Sequence, residues 1–396
     1  MNFVRAGKPV EIESTEFAPG LAGRAIVLTT LGLLALGVVA VNSATVTVAQ
    51  PGPWYARVDV RHTIFAVVAA GVLVLGGKLD YRKLFGGGDG PVPWVAMGLL
   101  VLALGLGLLV FVPGLGHAVG GRYRWIRIGP RQFSIGFGPS ELIKISLVIF
   151  LAAWLGRAKT NVRSFWTFAG ALACILASAA VVITQDFGTA VLICIAGFVV
   201  MFLAGVPWYY LFTIVPPGVG VGWYFILAAP YRLGRIQAML DPWCHANQSA
   251  YQGRQSLLAI LAGGWTGVGL GKGVRKLGFL PEDSTDFIFA SFCEEWGFRG
   301  AAMLIVLLLM WLMFCRKAAV GAPDRFGRVL AGGLGATIII QAIGHIAVNL
   351  VLLPTTGISL PFVSAGGTSL LIMAGAAALI TSVATKGQAP AELGQN

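Results

Sequence analysis

The segment LPEDSTDFIFASFCEEWGFRGAAMLIVLLLMWLMFC, residues 280–315, decides the fold class of this chain. It begins with an acid-rich part and continues as an apolar run. The carboxylates of the first part are Glu282, Asp283, Asp286, Glu294 and Glu295. An apolar run of about 20 residues is long enough to cross a bilayer as a helix. Because carboxylates beside membrane-grade sequence are costly, the segment predicts a membrane helix with a functional polar site at one end.

The whole chain has the composition of a membrane protein. Of its 396 residues, 57% are hydrophobic and 11% are charged, whereas soluble domains carry roughly 25% charged residues. We predict an all-α polytopic membrane protein with about ten transmembrane helices. The expected spans lie near 22–47, 62–78, 92–114, 139–156, 165–183, 188–206, 208–229, 290–315, 327–350 and 360–384.

Basic residues in the short loops indicate the orientation. Lys78, Arg82 and Lys83 follow the second span, and such residues favour the cytoplasmic side. An even number of spans then places both termini in the cytoplasm. We predict a cytoplasmic segment 1–21, one transmembrane domain 22–385 and a cytoplasmic tail 386–396.

One long loop, residues 230–289 between spans seven and eight, is predicted to be extracytoplasmic. It carries many cations, as does the loop around Arg124, on the side that the orientation rule disfavours. Two explanations stay open: these cations bind an anionic ligand such as a lipid phosphate, or they contact anionic headgroups. The loop is too apolar and aromatic for disorder.

Cofactor signatures are missing from the sequence. The five cysteines and four histidines show no metal-ligand spacing. We therefore expect no protein-held metal. We also expect no organic cofactor and no nucleic-acid partner. Membrane lipids are expected to surround the spans.

Seven sequence blocks, in order, carry a family resemblance. They are RYRWIRIGP (122–130), GPSELIK (138–144), QDFGTA (185–190), YRLGRIQAMLDPW (231–243), YQGRQSLLAILAGGWTGVGLGKG (251–273), LPEDSTDFIFASFCEEWGFRG (280–300) and LLPTTGISLPFVSAGGTSL (352–370). With these blocks the chain resembles the SEDS (shape, elongation, division, sporulation) glycosyltransferases. It departs from the family pattern at Gly138, Gln185, His345 and Ala365.

The resemblance implies a multi-pass enzyme of the bacterial cytoplasmic (inner) membrane. Such an enzyme polymerises lipid II, an undecaprenyl-pyrophosphate-linked disaccharide peptide, into glycan strands at the outer face. It would work beside a monofunctional class B penicillin-binding transpeptidase, with a divalent cation, Mg²⁺ or Mn²⁺, as the cofactor to consider. Two rival functions stay open: a lipid II flippase, and a catalytically silent scaffold for the transpeptidase.

The resemblance assigns the role of catalytic base to Asp286. The residues make this reasonable, because Ser284-Thr285 is a good N-cap pair that would place Asp286 in the first turn of a helix. Glu282 is a candidate helper that orients the acceptor or binds a cation. Farther along, Glu295 and Arg299 are spaced to form an i,i+4 pair on a continuous helix.

The candidate substrate-binding residues each have a simpler structural alternative. Arg124 and Trp125 either hold a pyrophosphate or form an interfacial rim, and Glu141 and Lys144 either line the cavity or pair with each other. Asp186 is either a cavity residue or a helix cap.

The remaining candidates lie near the ends of spans. Arg232 and Arg235, one turn apart, are cationic candidates for a pyrophosphate. The block holding Ser364 and Gly366 either offers backbone N–H groups to a phosphate or packs helices closely.

Overall fold

The computed structural model describes residues 20–45, 54–86, 93–112, 115–119, 122–128, 135–244, 248–274 and 277–386. The predicted terminal segments 1–21 and 386–396 lie almost entirely outside the described residues. Twelve α-helices are present in the described part of the chain: α1 (Leu21–Thr45), α2 (Val58–Gly76), α3 (Trp94–Leu109), α4 (Pro139–Leu155), α5 (Phe165–Ile183), α6 (Phe187–Leu203), α7 (Trp208–Leu227), α8 (Pro230–Leu240), α9 (Gln248–Gly263), α10 (Ile288–Val320), α11 (Arg325–Asn349) and α12 (Thr368–Lys386). Short 3₁₀ and π helices occupy Trp54–Ala56 and Arg82–Gly86.

Ten of these helices coincide with the ten predicted spans, and α8 and α9 lie in the predicted long loop. Seven are long and apolar enough to cross a membrane by themselves: α1, α2, α5, α7, α10, α11 and α12. The shorter helices α3 and α6 are also apolar, and α4 carries Glu141 and Lys144 in its first two turns. A polytopic helical membrane protein is therefore confirmed.

The helix α4 lies at the centre of the bundle. Every residue from 143 to 153 on it is buried, so neighbouring helices surround it and it has no lipid-facing side along this stretch. The opposite case is α7, which has Leu211 as its one buried residue and contains Pro216 and Pro217.

A three-stranded antiparallel sheet, which the sequence did not predict, follows α3. Its strands are β1 (Gly116–Val119), β2 (Arg122–Ile128) and β3 (Ile135–Phe137), with β2 in the middle. The sheet leads directly into Pro139, the first residue of α4. It therefore places Arg124 and Trp125 beside the start of the central helix.

The longest helix, α10, is broken at Gly297, where φ is 65° and ψ is −166°. Side chains have no room there: a Cβ atom on Gly297 would lie 2.3 Å from the Gly267 nitrogen. The break frees backbone groups of α10 to bond the loop after α9. The amide N–H of Val268 donates to the Glu294 carbonyl at 3.0 Å, and that of Phe298 donates to the Gly264 carbonyl at 2.8 Å.

The broken helix makes the predicted Glu295–Arg299 pair wrong, because i,i+4 spacing holds only on a continuous helix. Glu295 is buried and accepts a hydrogen bond from the Ser43 hydroxyl of α1 at 2.5 Å. Glu294, also buried, accepts one from the Val274 N–H at 2.9 Å. Both carboxylates thus fasten the loop after α9 and the helix α1 to α10.

The last span begins at Thr368 rather than near 360. The preceding residues form turns whose apolar side chains, among them Leu360, Phe362 and Val363, are buried in the core. Phe362 has a φ of 65°, which an apolar helix cannot contain. This buried turn, although as hydrophobic as a span, shapes one wall of the site.

Candidate active site

A cavity of about 450 Å³, called here the main cavity, lies where the sheet, the starts of α4, α6 and α12, and the turn before α10 meet. It is lined by Arg124, Trp125, Gly138, Ser140, Glu141, Val182, Gln185, Asp186, Thr189, Arg235, Glu282, Thr285, Asp286, Gly357, Ser359, Ala365, Gly366, Thr368 and Ser369. Eight of the predicted site residues are among them, although they come from six separate sequence blocks. Three predicted residues, Lys144, Arg232 and Ser364, are not.

Asp286 lies in the turn before α10 and not in its first helical turn. The N-cap is Phe287, without a side-chain cap, and the Thr285 hydroxyl bonds the Glu282 carboxylate at 2.9 Å instead. The predicted Ser284-Thr285 cap is therefore wrong. Because Asp286 is outside the helix, its carboxylate is free to face the cavity.

The turn that carries Asp286 is fastened from two sides. Asn349, fully buried at the end of α11, donates from Nδ2 to the Asp286 carbonyl at 3.1 Å and accepts from the Ala290 N–H at 3.0 Å. Ser364 donates its hydroxyl to the Thr285 carbonyl at 2.8 Å. Ser364 therefore acts on the backbone behind the cavity and does not line it.

The environment of Asp286 raises the pKa of its carboxyl to about 6. Burial is the main cause, and the negative charges of Glu282 and Asp186 add to it. The positive charges of Arg124 and Arg235 lower the pKa and partly compensate. A carboxylate with a pKa near 6 is still ionised at neutral pH and is a stronger base than an ordinary aspartate.

Two arginines bring positive charge to the cavity, and each is held by a backbone carbonyl. Arg124 donates from Nε to the Gln185 carbonyl at 2.9 Å, and its guanidinium lies 3.7 Å from the Asp186 carboxylate. Arg235 donates to the Thr355 carbonyl at 2.6 Å. Asp186 also caps α6 by accepting from the Thr189 N–H at 3.1 Å, so both alternatives for this residue hold together.

Arg232 is turned away from the cavity, contrary to its predicted role. Its guanidinium bonds the Tyr231 hydroxyl and the carbonyls of Phe225 and Ile183, at 2.6, 2.8 and 3.2 Å, and lies 5.1 Å from the Phe187 ring centroid. These contacts fix α8 to the ends of α5, α6 and α7, and they use one N–H of each guanidinium nitrogen.

A buried polar network lies below the cavity. Lys144 is fully buried and donates to the Glu141 carboxylate at 2.7 Å and to the Gln341 side-chain carbonyl. Gln341 in turn donates to the Ser359 carbonyl at 3.0 Å. The pairing of Glu141 with Lys144 thus exists, and only Glu141 reaches the cavity.

The Gly366 N–H is not available to a phosphate, as one prediction required, because it donates to the Ser364 carbonyl at 2.7 Å. Gly366 contributes to the cavity by its small size. Gly138, where the chain departs from the family pattern, also contributes to the cavity by its small size. A Cβ atom at Gly138 would lie 3.3 Å from the Trp125 ring, so the absence of a side chain leaves room for the indole. At another departure, His345 bonds the Ile358 carbonyl through Nδ1 at 2.7 Å.

A small polar cavity of about 100 Å³ adjoins Asp286 on another side and shares Arg124 and Arg235 with the main cavity. Thr355 and Thr356 line it, and among the described residues their hydroxyl oxygens have no hydrogen-bond partner although they are buried. Sequence reasoning missed both threonines, as it missed Asn349. The signal was a polar Thr-Thr pair directly after an apolar span, in LLPTTGIS.

Comparisons with known proteins agree with this fold. A family model described as "Cell cycle protein", covering FtsW, RodA and SpoVE, matches residues 24–389. A probable peptidoglycan glycosyltransferase FtsW of Nitrosococcus halophilus is 36% identical over 368 residues, 89% of each chain. A protein of the same name from Saccharophagus degradans is 39% identical over 290 residues, 72% of this chain and 74% of the relative.

Solved structures show the same fold. A chain from the study "Structural coordination of polymerization and crosslinking by a peptidoglycan synthase complex" has a TM-score of 0.72 and 25% identity, with 92% of this chain and 97% of that chain covered. The rod shape determining protein RodA of Thermus thermophilus, 24% identical, has a TM-score of 0.66 with the same coverage. This chain belongs to the family of cell cycle proteins that contains FtsW, RodA and SpoVE, as its sequence blocks predicted.

Proposed function

We propose that this protein is a peptidoglycan glycosyltransferase that polymerises lipid II, with Asp286 as the general base. Relatives that match nearly nine-tenths of the chain bear the name peptidoglycan glycosyltransferase. The single observation that supports the mechanism is the position of Asp286. Its carboxyl, with a raised pKa, faces a cavity that also holds Arg124 and Arg235.

The proposed reaction is a single displacement. Asp286 accepts the proton of the acceptor sugar hydroxyl while that oxygen attacks the anomeric carbon of the donor. The bond from this carbon to the diphosphate oxygen breaks, the diphosphate leaves with the electron pair, and the anomeric configuration inverts. Arg124 and Arg235 hold the leaving diphosphate, whose charge increases as the bond breaks.

A divalent cation enters the proposal only together with the substrate. The described residues include no group of three or more His, Cys, Asp or Glu side chains that could hold a metal ion. Diphosphate oxygens are ligands that Mg²⁺ and Mn²⁺ prefer, so the lipid-linked substrate would bring most of the ligands. The proposed proton transfer uses Asp286 alone.

The site would face outward from the cytoplasmic membrane, with both termini in the cytoplasm and a monofunctional class B penicillin-binding transpeptidase as the partner. Two observations support this arrangement: the basic loop at Arg82 lies at the opposite end of α2 from the cavity, and a structural neighbour comes from a complex for polymerisation and crosslinking. The glycan strand would then be released where the transpeptidase acts.

The test is a polymerisation assay of the purified protein with its transpeptidase, lipid II and Mg²⁺. Wild type should produce glycan strands, and Asp286→Ala should lower the rate at least a hundredfold with unchanged folding and partner binding. Asp283→Ala, which removes a neighbouring carboxylate that does not line the cavity, is the matched control and should stay near the wild-type rate.

The same samples distinguish the rival functions. A flippase would move fluorescent lipid II across vesicle membranes and would keep doing so after Asp286→Ala, without forming polymer. A scaffold would stimulate the transpeptidase equally in both forms. Glycan synthesis at the wild-type rate by Asp286→Ala would reject Asp286 as the base.

A further inference from the structure

The turn between α5 and α6 contributes a side chain to the main cavity that the proposed mechanism does not use. Gln185 lines this cavity together with its neighbours Val182, Asp186 and Thr189. It is the one carboxamide among the described residues that line the main cavity. Because the sequence departs from the family pattern at this position, a role for Gln185 would be particular to this chain.

The side-chain amide of Gln185 lacks the partner that such a group normally has. Its Nε2 atom is buried and has no hydrogen-bond partner among the described residues. Buried polar groups in proteins are nearly always paired, because an unpaired group costs free energy. A carboxamide that lines a cavity with an unpaired donor is therefore suited to bind a ligand there.

The backbone of Gln185 is held on both sides. Its N–H donates to the Val182 carbonyl at 3.0 Å, and its carbonyl accepts from Nε of Arg124 at 2.9 Å. The point from which the side chain extends is therefore fixed before a ligand arrives. Binding has to order only the torsions of one side chain, which keeps its entropic cost small.

The surroundings of Gln185 favour a neutral ligand group. A carboxamide is uncharged and offers both N–H donors and a carbonyl acceptor. The adjacent Asp186 carboxylate lines the same cavity, and its negative charge disfavours a phosphate beside it. Val182, one turn earlier, adds an apolar side chain to the wall. A secondary amide with a short acyl chain fits this wall, because its two polar atoms match the carboxamide and its methyl group matches Val182.

We propose that Gln185 binds the N-acyl amide of the amino sugar that carries the donor diphosphate, and that it thereby selects N-acylated donors. This inference rests on the proposed glycosyltransferase function. The N-acyl group is attached to the carbon next to the anomeric carbon, so it lies close to the diphosphate. Arg124, which holds the diphosphate in the proposed reaction, is bonded to the Gln185 carbonyl. Neighbouring parts of the substrate thus meet neighbouring groups of the protein.

A binding measurement tests this contact without catalysis. Asp286→Asn protein in nanodiscs is titrated with undecaprenyl diphosphate linked either to N-acetylglucosamine or to glucose, two probes that differ only at the carbon next to the anomeric carbon. The N-acyl probe should bind about tenfold more tightly, because the shorter hydroxyl leaves the buried amide poorly paired. Adding Gln185→Met, which removes the carboxamide at similar length, should abolish this preference. Gln237→Met, the same change at an exposed residue of α8, is the matched control and should keep it.

The glucose probe also reports on the integrity of the site. Its affinity should be the same in the presence and absence of Gln185→Met, which shows that the cavity is still folded. If the preference for the N-acyl probe persisted in Gln185→Met, another residue would recognise the amide and the proposal would be overturned. An equal loss of affinity for both probes would also overturn it, because Gln185 would then contact the diphosphate that the probes share.

A kinetic measurement extends the test to the otherwise native protein. Gln185→Met should lower kcat/KM for lipid II about tenfold. A lipid II analogue with a hydroxyl in place of the N-acyl group on the diphosphate-linked sugar should be used equally well by wild type and Gln185→Met. A tenfold difference between the two proteins with this analogue too would overturn the proposal.

The two measurements separate the contact from the reaction. If wild type made no glycan but the N-acyl preference in binding depended on Gln185, the proposed function would fail and the binding site would stand. If wild type made glycan and Gln185→Met kept the preference, the proposed function would stand and the role of Gln185 would be rejected.

Discussion

Asn349 donates a hydrogen bond from its side-chain amide to the backbone carbonyl of Asp286, over 3.1 Å. The same side chain accepts from the N–H of Ala290, and the Asn349 carbonyl accepts from the Ser256 hydroxyl of α9 at 2.6 Å. A single residue at the end of α11 therefore ties α9, the start of α10 and the turn carrying the proposed base. The position of the carboxylate depends on this tie more than on helix capping.

Replacing Asn349 should damage catalysis without removing any group from the cavity. In Asn349→Leu the turn loses its tie, and a displacement of about 1 Å can cost roughly a hundredfold in rate. We expect the maximal polymerisation rate to fall by that order while the binding of undecaprenyl diphosphate changes little. Asn42→Leu is the matched control, since Asn42 is an asparagine of α1 that bonds the Val38 carbonyl. A rate close to wild type in Asn349→Leu would contradict the positioning role.

The pKa of Asp286 predicts the acidic side of the pH profile. Because the carboxyl has a pKa of about 6, the rate should rise with pH and reach half its plateau near pH 6. Arg235→Gln removes a positive charge that lowers this pKa, so the midpoint should move to higher pH. A midpoint near pH 4 in the wild type would show that another group controls the rate.

The same pKa predicts a gain in stability when the base is removed. A folded-state pKa of about 6, above the ordinary value of 3.8, means that the folded state binds the proton more tightly than the unfolded state. Stability from this group is complete below about pH 4 and decreases as pH rises towards and beyond 6. At pH 7.5, the free energy of unfolding of Asp286→Asn should therefore exceed that of wild type by up to roughly 3 kcal/mol, and the variant should unfold at a higher temperature. The difference should vanish near pH 4.

Lys144 should be needed for folding. Lys144→Met leaves Glu141 and the Gln341 carbonyl without their common donor, and breaking a buried ion pair costs about 3–5 kcal/mol. We expect a clear decrease of Tm, partly recovered by adding Glu141→Gln. Lys78→Met, at an exposed lysine, is the control. An unchanged Tm in Lys144→Met would show that the ion pair between Lys144 and Glu141 does not contribute to the stability of the fold.

The break in α10 should tolerate no side chain. Gly297→Ala places a Cβ atom 2.3 Å from the Gly267 nitrogen at a φ of 65°, so we expect loss of folded protein in size-exclusion chromatography. In contrast, Gly105→Ala in α3 adds a methyl group to open space and should be neutral or slightly stabilising. Equal yields of the two variants would contradict this account.

The sequence predicted the features that depend on local pattern. The length of an apolar run is sufficient to find a span, so ten helices appeared where they were expected, and the buried turn before α12 was misread because it is equally apolar. Charged residues inside or beside spans also indicated a polar site, and Glu141 and Asp286 line the main cavity while Lys144 pairs with Glu141. Only the start of α12 needed a substantial shift, to Thr368.

The features that depend on contacts between distant segments could not be predicted. Gly297 looks like an ordinary helix residue until the backbone of Gly267 is placed against it, and this break is what separates Glu295 from Arg299. Likewise, Arg232 and Arg235 are one turn apart in sequence. The carbonyls at the ends of α5 and α7 attract the first, whereas the Thr355 carbonyl holds the second at the cavity.

The sparse packing of α7 has a practical consequence for work with this protein. With one buried residue and two prolines inside it, this helix has few protein contacts and would lie mainly against lipid, whereas α4 is surrounded by protein from residue 143 to residue 153. Detergent removes the lipid and leaves the contacts of α4 intact. Purification in short-chain detergent should therefore change the position of α7 first, and a lipid nanodisc is the preparation in which its native position is kept.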